Sequence, residues 1–197
     1  MLMTDKTVIH MIEQLIRRAG DDPTREGLRD TPERFLKAWD FWTSGYKQDP
    51  EAVIKTFVEQ ADKLDELVFQ GGITTASLCE HHLAPFHGVT HIAYIPDKGR
   101  IIGLSKFSRL VEIFARRLQV QERLCNQVAD ALDQVLQPRG VGVVMQMRHS
   151  CMESRGVQKY GAVTITSALR GVLRTNGAAR AEFFSLVNTA IQNHTVL

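Results

Sequence analysis

The chain has 197 residues, of which 44% are hydrophobic, enough for one globular domain with a sizeable core. Its 24 Lys and Arg residues nearly balance 22 Asp and Glu residues, and the net charge of +2 with 7% aromatic residues argues against nucleic-acid or membrane partners. No run approaches the roughly 20 apolar residues of a membrane span, and residues 1–10 lack a secretory signal pattern, so we expect a cytoplasmic protein.

The first part of the chain is predicted to be helical. Apolar residues from Lys6 to Arg18 recur at helical spacing, and Gly20 follows in the position of a C-cap. Thr31 to Glu33 marks a second helix start, with a capping hydroxyl, a proline at the first helical position and an acid in the first turn. The second helix is expected to end near Gly45. These features predict a helical arm.

The composition changes near residue 60, where we place a boundary between a helical region, 1–60, and a second domain, 61–197. Strands are expected at 67–69 and 73–78 on either side of Gly71-Gly72, at 89–95 and 100–104 around a turn at 96–99, from Val141 onward, and at 163–173. Helices are expected at 105–136, with a break near Gln119, and at 178–193. Strands and helices are segregated rather than alternating as βαβ units, which predicts an α+β fold.

Cysteine and histidine are concentrated at two places that suit a metal ion. Cys79 and His82 are three residues apart and can meet one ion if the backbone makes a helical turn. The period-two alternation that begins at Val141, if continued, puts His149 and Cys151 on one face of a strand. A structural zinc site closes with four protein ligands, whereas a catalytic site keeps one position for water. Spacing alone leaves catalytic zinc, structural zinc and no metal all open.

Other polar residues have ordinary interpretations when taken singly. His87 and His91 are expected to serve packing or hydrogen bonding, and Cys125, on the apolar side of a predicted helix, to be a buried thiol. Residues 119–124 are interpreted as a polar helix surface. Several basic groups near the Cys and His clusters suit a polyphosphate, although each alone also fits a solvated face: Lys106 and Arg109 after Ser105, Arg155, and Arg34 with Lys37. No P-loop pattern occurs.

Five segments carry a resemblance to a known family. They are Ser77–Leu83 followed by Pro85-Phe86 and Gly88, His91–Pro96, Ile102–Lys106, Arg117–Leu124, and His149–Met152 with Arg155–Val157. Their residues and order resemble the GTP cyclohydrolase I family over most of 75–175, and Thr31–Arg34 looks like that family's helical arm. The chain departs from the family pattern at Cys125 and in the run 70–76, neither of which is a site position, and these departures leave open which pathway the product enters.

The resemblance implies a zinc ion held by Cys79, His82 and Cys151, with water in the fourth position. In the family's reaction this water adds to C8 of GTP, the imidazole ring opens, C8 leaves as formate, and the ribose rearranges to give 7,8-dihydroneopterin triphosphate. His81 and His149 would be the acid and base, because an imidazole pKa near 6.5 suits proton transfer at neutral pH.

The resemblance also implies the substrate contacts and the assembly. Glu122 would hold the guanine edge with Gln121 nearby, and the triphosphate would be bound by Ser105, Lys106, Arg109 and Arg155, assisted by Arg34 and Lys37. The implied fold is a tunnelling fold (T-fold), an antiparallel sheet with helices on one face. Copies of it close into the barrel of a homodecamer, with sites shared between subunits.

Two rival functions predict different residues. A zinc nucleoside deaminase needs His-x-Glu and a later Pro-Cys-x-x-Cys, and the sequence contains neither. A non-catalytic, zinc-stabilised binding protein of the same fold predicts a fourth protein ligand and no open position on the metal. The coordination of the metal therefore distinguishes an enzyme from a binding protein.

Overall fold

The computed structural model describes residues 4–54, 56–58 and 64–193. The chain divides into two compact units, one up to residue 44 and the other from residue 45. The predicted boundary near residue 60 lies outside the described residues and stays a prediction. None of the described helices is both long enough and apolar enough to cross a membrane.

The first unit contains two helices, α1 (Asp5–Arg18) and α2 (Thr31–Trp42), which pack against each other. The Thr4 hydroxyl accepts a hydrogen bond from the Thr7 N–H at 3.3 Å and caps α1, and Gly20 follows that helix at φ +88°. Both predicted helices are confirmed. The predicted capping role of Thr31 is wrong, because Thr31 is already helical and Asp30 precedes it as the N-cap residue.

A 3-10 turn at Ser44–Lys47 spans the boundary between the units, and the second unit is built on a five-stranded sheet. Its strands are β1 (Thr56–Val58), β2 (Val68–Cys79), β3 (Pro85–Ile95), β4 (Arg100–Ile102), β5 (Leu118–Gln119), β6 (Gly140–His149) and β7 (Val163–Arg170). The order of strands in the large sheet is β5-β2-β3-β6-β7. Its helices are α3 (Pro50–Val53), α4 (Ser105–Ala115), α5 (Gln121–Leu136), α6 (Ser150–Glu153), α7 (Gly171–Thr175) and α8 (Gly177–Asn193).

All pairings in the large sheet are antiparallel except the short parallel contact of β5 with β2. Strands β1 and β4 form a separate antiparallel pair. The predicted break near Gln119 is confirmed, because β5 separates α4 from α5. The predicted α+β class with an antiparallel sheet is confirmed as well.

The predicted glycine break is a bulge inside one long strand. β2 is continuous, but its register with β3 shifts within residues 70–73, where Gly72 adopts φ +72°. The Gly72 N–H donates to Nδ1 of His91 at 3.3 Å, and the ring of His91 stacks on Phe69. His91 is buried and serves packing and hydrogen bonding as predicted, whereas His87 is exposed.

One face of the sheet is covered by α4 and α5. Alternate residues of β3 and β6, among them Ile92, Tyr94 and Met145, are fully buried against the apolar sides of these helices. Cys125 of α5 lies in this core, as predicted, and burial raises the pKa of its thiol to about 11. This layer forms the larger hydrophobic core.

The opposite face is covered at one end by α7 and α8. Ala93 and Val144, which point away from the α5 layer, pack with Phe183 and Val187 of α8. A Cβ atom on Gly142 would meet the Phe183 ring at 2.8 Å, so this glycine makes room for the ring. The sheet carries helices on both faces, which differs from the expected arrangement with helices on one face.

Candidate metal and catalytic site

The first group of candidate residues lies in the turn that follows β2. Cys79 ends the strand, its N–H donates to the Ala84 C=O, and its C=O accepts from the Leu83 N–H, both at 2.8 Å. Leu83 adopts φ +53°, which closes the turn. The Sγ atom of Cys79 lies 3.7 Å from Nδ1 of His82 and 3.9 Å from Nδ1 of His81. The predicted turn geometry for Cys79 and His82 is confirmed.

The second group lies where β6 gives way to α6. His149 is the last residue of the strand, and Ser150 begins the short helix that carries Cys151. The Ser154 N–H donates to the Ser150 C=O at 2.9 Å, as in a helical turn. The expectation that the strand alternation continues to Cys151 is therefore wrong, because the backbone becomes helical one residue before it.

The two turns bring three metal-ligating side chains together. The ligand atoms of Cys79, His82 and Cys151 all lie within 4.8 Å of one another. Burial and the neighbouring Cys79 sulfur both raise the pKa of the Cys151 thiol, because a second thiolate beside the first is unfavourable without a compensating cation. Two sulfurs and an imidazole are a donor set that zinc prefers, and the divalent ion would supply that compensation. These residues fit zinc.

The cluster has the composition of an open site. In the described part of the chain, no fourth His, Cys, Asp or Glu joins the three residues within the same mutual distance. His81 approaches the Cys79 sulfur but is not a member of the cluster. A structural zinc site would present four protein ligands, whereas three leave a position for water.

His149 is held between an aromatic ring and an amide. Its imidazole stacks on Phe86 with centroids 4.7 Å apart and planes inclined by 7°, and its Nε2 lies 2.8 Å from Oε1 of Gln121. Burial lowers the pKa of His149, and the nearby Glu122 carboxylate opposes this shift. The imidazole is therefore favoured in its neutral form.

Gln121 lies inside the protein at the start of α5. Its side chain is 1% exposed, and its Nε2 donates to the main-chain oxygens of Met145 and Thr164, both at 3.0 Å. Gln119, two residues earlier, is equally buried. The interpretation of 119–124 as a helix surface is wrong for these two glutamines and holds for Glu122 and Arg123, which are exposed.

An ion pair joins the first turn to α5. The Arg123 guanidinium contacts the Glu80 carboxylate and also donates to the Leu118 C=O and to Oε1 of Gln119, both at 3.0 Å. The hydrogen bond from Arg123 lowers the pKa of Glu80. Sequence reasoning missed this pair because 43 residues separate its members.

A second ion pair supports the turn that carries Cys151. The Arg148 Nε donates to Oε1 of Glu153 at 2.7 Å, and the same carboxylate oxygen accepts from the Gly161 N–H at 3.3 Å. Glu153 is almost completely buried, and the hydrogen bond from Arg148 lowers its pKa. The carboxylate therefore closes the loop between 154 and 161, which contains Arg155.

The candidate phosphate-binding residues are placed on different elements. Nη1 of Arg155 lies 3.4 Å from Nε2 of His82, at the metal cluster. Ser105 and Lys106 begin α4, and Arg109 is exposed one turn later. Among the residues described, no hydrogen bond or ion pair joins these three to the cluster. Arg34 and Lys37 belong to the first unit, where Arg34 pairs with Asp30 at 2.8 Å.

An antiparallel sheet that delivers two cysteines and a histidine to one point, with further imidazoles and an arginine beside them, has the side chains of an enzyme site that could bind a metal ion. The family model described as GTP cyclohydrolase I matches residues 8–188. The chain belongs to the GTP cyclohydrolase I family.

Several relatives are named GTP cyclohydrolase 1. That of Nitrosospira multiformis is 54% identical over 90% of this chain and 92% of its own length. The Campylobacter curvus protein is 48% identical over 93% of this chain and 95% of its own, and the Chlorobaculum tepidum protein is 52% identical over 89% and 78%. Among solved structures, the apo archaeosine synthase QueF-Like is similar at TM-score 0.41 and 16% identity, covering 57% of this chain and 97% of that one.

Proposed function

We propose that the protein hydrolyses GTP at C8 of the guanine, releases that carbon as formate and forms 7,8-dihydroneopterin triphosphate, the first step of pterin and tetrahydrofolate synthesis. The observation that carries this proposal is the cluster of Cys79, His82 and Cys151, with His149 held close by, in a chain of the GTP cyclohydrolase I family. The net reaction consumes one water for each GTP.

The metal would be held by the two sulfurs and the His82 imidazole. Zinc bound there would supply a Lewis acid that lowers the pKa of a bound water to about 7. The main-chain hydrogen bonds around Cys79 orient its sulfur, and the carboxylate of Glu80 holds the same turn against Arg123. These contacts would orient the two ligands of the first turn toward the ion.

Two histidines beside the cluster are proposed to move protons. Burial favours the neutral form of His149, which can accept a proton as water adds to C8. His81 is exposed, its Nε2 lies 3.9 Å from the Glu80 carboxylate, and it is proposed to donate a proton to a leaving nitrogen. Breaking the C8–N bonds requires such a donor.

The substrate is proposed to lie between α4, α5 and the loop after α6. The exposed Glu122 carboxylate can accept two hydrogen bonds from the guanine edge. Arg155 and the residues at the start of α4, Ser105, Lys106 and Arg109, would bind the triphosphate, because a helix N-terminus adds N–H donors and a favourable dipole. Arg34 and Lys37 are proposed to assist.

We also propose a homo-oligomer, with a toroidal homodecamer as the expected form. β7 forms an edge of the sheet, and its Val163 and Ile165 side chains are 43% and 61% exposed. An exposed apolar edge strand favours pairing with another copy, which would close the sheets into a barrel. The unpaired thiols of Cys79, Cys125 and Cys151 suit the reducing cytoplasm.

The test is turnover of GTP by the zinc-loaded protein, followed by formate release and by the pterin chromophore. A chelator-treated sample and a Cys125→Ala variant, which removes a thiol outside the cluster, are the controls. We expect both products to require zinc and to persist in Cys125→Ala. Stoichiometric zinc without turnover would favour the non-catalytic zinc protein instead.

A further inference from the structure

The amide of Gln121 is oriented by neighbouring groups that can only accept hydrogen bonds. The main-chain oxygens of Met145 and Thr164 accept hydrogen bonds and cannot donate, so the end of the amide that faces them is the NH2 group. Oγ1 of Thr166 lies 3.2 Å from the same nitrogen. The other end of the amide, which faces His149, is therefore its oxygen.

This orientation determines the tautomer of His149. The Gln121 oxygen can only accept, so Nε2 of His149, 2.8 Å away, carries the proton in the neutral imidazole. The lone pair then lies on Nδ1. In the described part of the chain Nδ1 has no hydrogen-bond partner, so this nitrogen is available to a substrate.

The surroundings leave the imidazole little freedom. The fully buried ring of Phe86 lies parallel to it, and β3 and β6 pair these two residues directly. Gln121 in turn bridges α5 to β6 and β7 through its two carbonyl contacts. Ring and amide are thus fixed by different strands, and rotation of either one would leave a buried polar group unpaired.

We propose that Gln121 is a positioning residue, which holds His149 as the Nε2–H tautomer so that Nδ1 exchanges the proton with the substrate, rather than a contact to GTP. The proposal rests on the function proposed above. It deepens that function by assigning the proton transfer to one atom and by removing Gln121 from the substrate contacts.

A double-mutant cycle tests whether Gln121 acts through His149. Gln121→Met removes both polar ends at similar size, and His149→Phe removes the imidazole but keeps a ring against Phe86. We expect Gln121→Met to lower kcat at least about tenfold, with KM for GTP and zinc content unchanged. In the His149→Phe background the same change should cause no further fall in kcat.

The control is Thr166→Val, which removes one neighbour of the amide and leaves the contact with His149 in place; its kcat should stay close to that of the unchanged protein. A raised KM with unchanged kcat in Gln121→Met would identify a GTP contact and overturn the proposal. The proposal would also be overturned if Gln121→Met lowered kcat by the same factor in the unchanged protein and in the His149→Phe background.

A second measurement needs no variant at position 121. Solid-state 15N NMR of the histidine-labelled protein at mildly alkaline pH reports which ring nitrogen carries the proton, and His149→Phe identifies the signal. A protonated Nε2 with a bare Nδ1 is expected, and the reverse tautomer would refute the proposal. Because this readout does not depend on turnover, it separates failure of the proposal from failure of the cyclohydrolase function.

Discussion

The two turns that supply the metal cluster are held in different ways. The first, from Cys79 to His82, is fixed mainly by its own backbone, because Cys79 bonds to both Ala84 and Leu83. The second, from His149 to Cys151, has local contacts in the Ser154–Ser150 hydrogen bond and the Arg148–Glu153 pair, but its His149 side chain is held by Phe86 and Gln121 from distant parts of the chain. Local geometry therefore largely specifies the first half of the metal site, while the second half also needs tertiary contacts.

Strand β3 sets the distance between the two turns. Phe86 pairs with Ser77 on one side and with His149 on the other, so the three residues form a row across the sheet. Cys79 and Cys151 each follow this row by two residues. Both ligands therefore leave the sheet at the same level, although one then enters a turn and the other a helix.

The largest effect is expected from Cys151→Ala, which removes a ligand from the turn that side chains hold. Two remaining donors bind zinc far more weakly than three, so stoichiometric zinc and turnover should both be lost. Metal analysis after desalting, together with formate release, measures the two effects. Zinc retained at one ion per chain would contradict the assignment of Cys151.

His149→Ala tests the same turn without touching a proposed ligand. We expect full zinc content and a fall in kcat of about 100-fold or more, because a general acid or base is lost. The same assays apply, so the two variants form a matched pair. Equal zinc loss in His149→Ala and Cys151→Ala would show that His149 is itself a ligand.

Gly88→Ala should disturb both turns at once through β3. A Cβ atom there would meet the Gln146 main-chain oxygen at 1.9 Å, so β3 and β6 must move apart. We expect the free energy of unfolding to fall by about 3 kcal/mol, measured by urea denaturation. Gly103→Ala is the matched control, because its nearest contact is the Lys106 Cγ at 3.9 Å, and it should change stability little.

The sequence predicted the features of the site that depend on neighbouring residues. The three-residue spacing of Cys79 and His82 required a turn, and the structure has one. The prediction that strand alternation continues to Cys151 was wrong, because alternation cannot reveal that the backbone becomes helical at Ser150. The third ligand followed from the family resemblance and not from the period.

Long-range placement accounts for the other differences. Apolar residues such as Phe183 and Val187 show which side of α8 is buried, but not which face of the sheet it covers. In the same way, the polar run 119–124 gave no sign that Gln121 points inward. Which side chain meets which across 28 or 43 residues is decided by the packing of α5 against the sheet.

The smallest effect is expected at the ion pair between Glu80 and Arg123, because the backbone already holds the first turn. Arg123→Met keeps the carbon stem and removes the guanidinium. Cys79 and His82 should therefore remain available as ligands but be held less firmly in position. We expect zinc affinity to fall about tenfold, measured by competition with a chromogenic chelator, with Glu80→Gln producing a similar loss and the double variant no more than either alone. Arg116→Met, which breaks a 3.2 Å pair with Glu112 on α4, is the control and should leave zinc affinity unchanged. If Arg123→Met weakened zinc as severely as Cys151→Ala does, the first turn would depend on tertiary contacts as much as the second, and the contrast between the two turns would be lost.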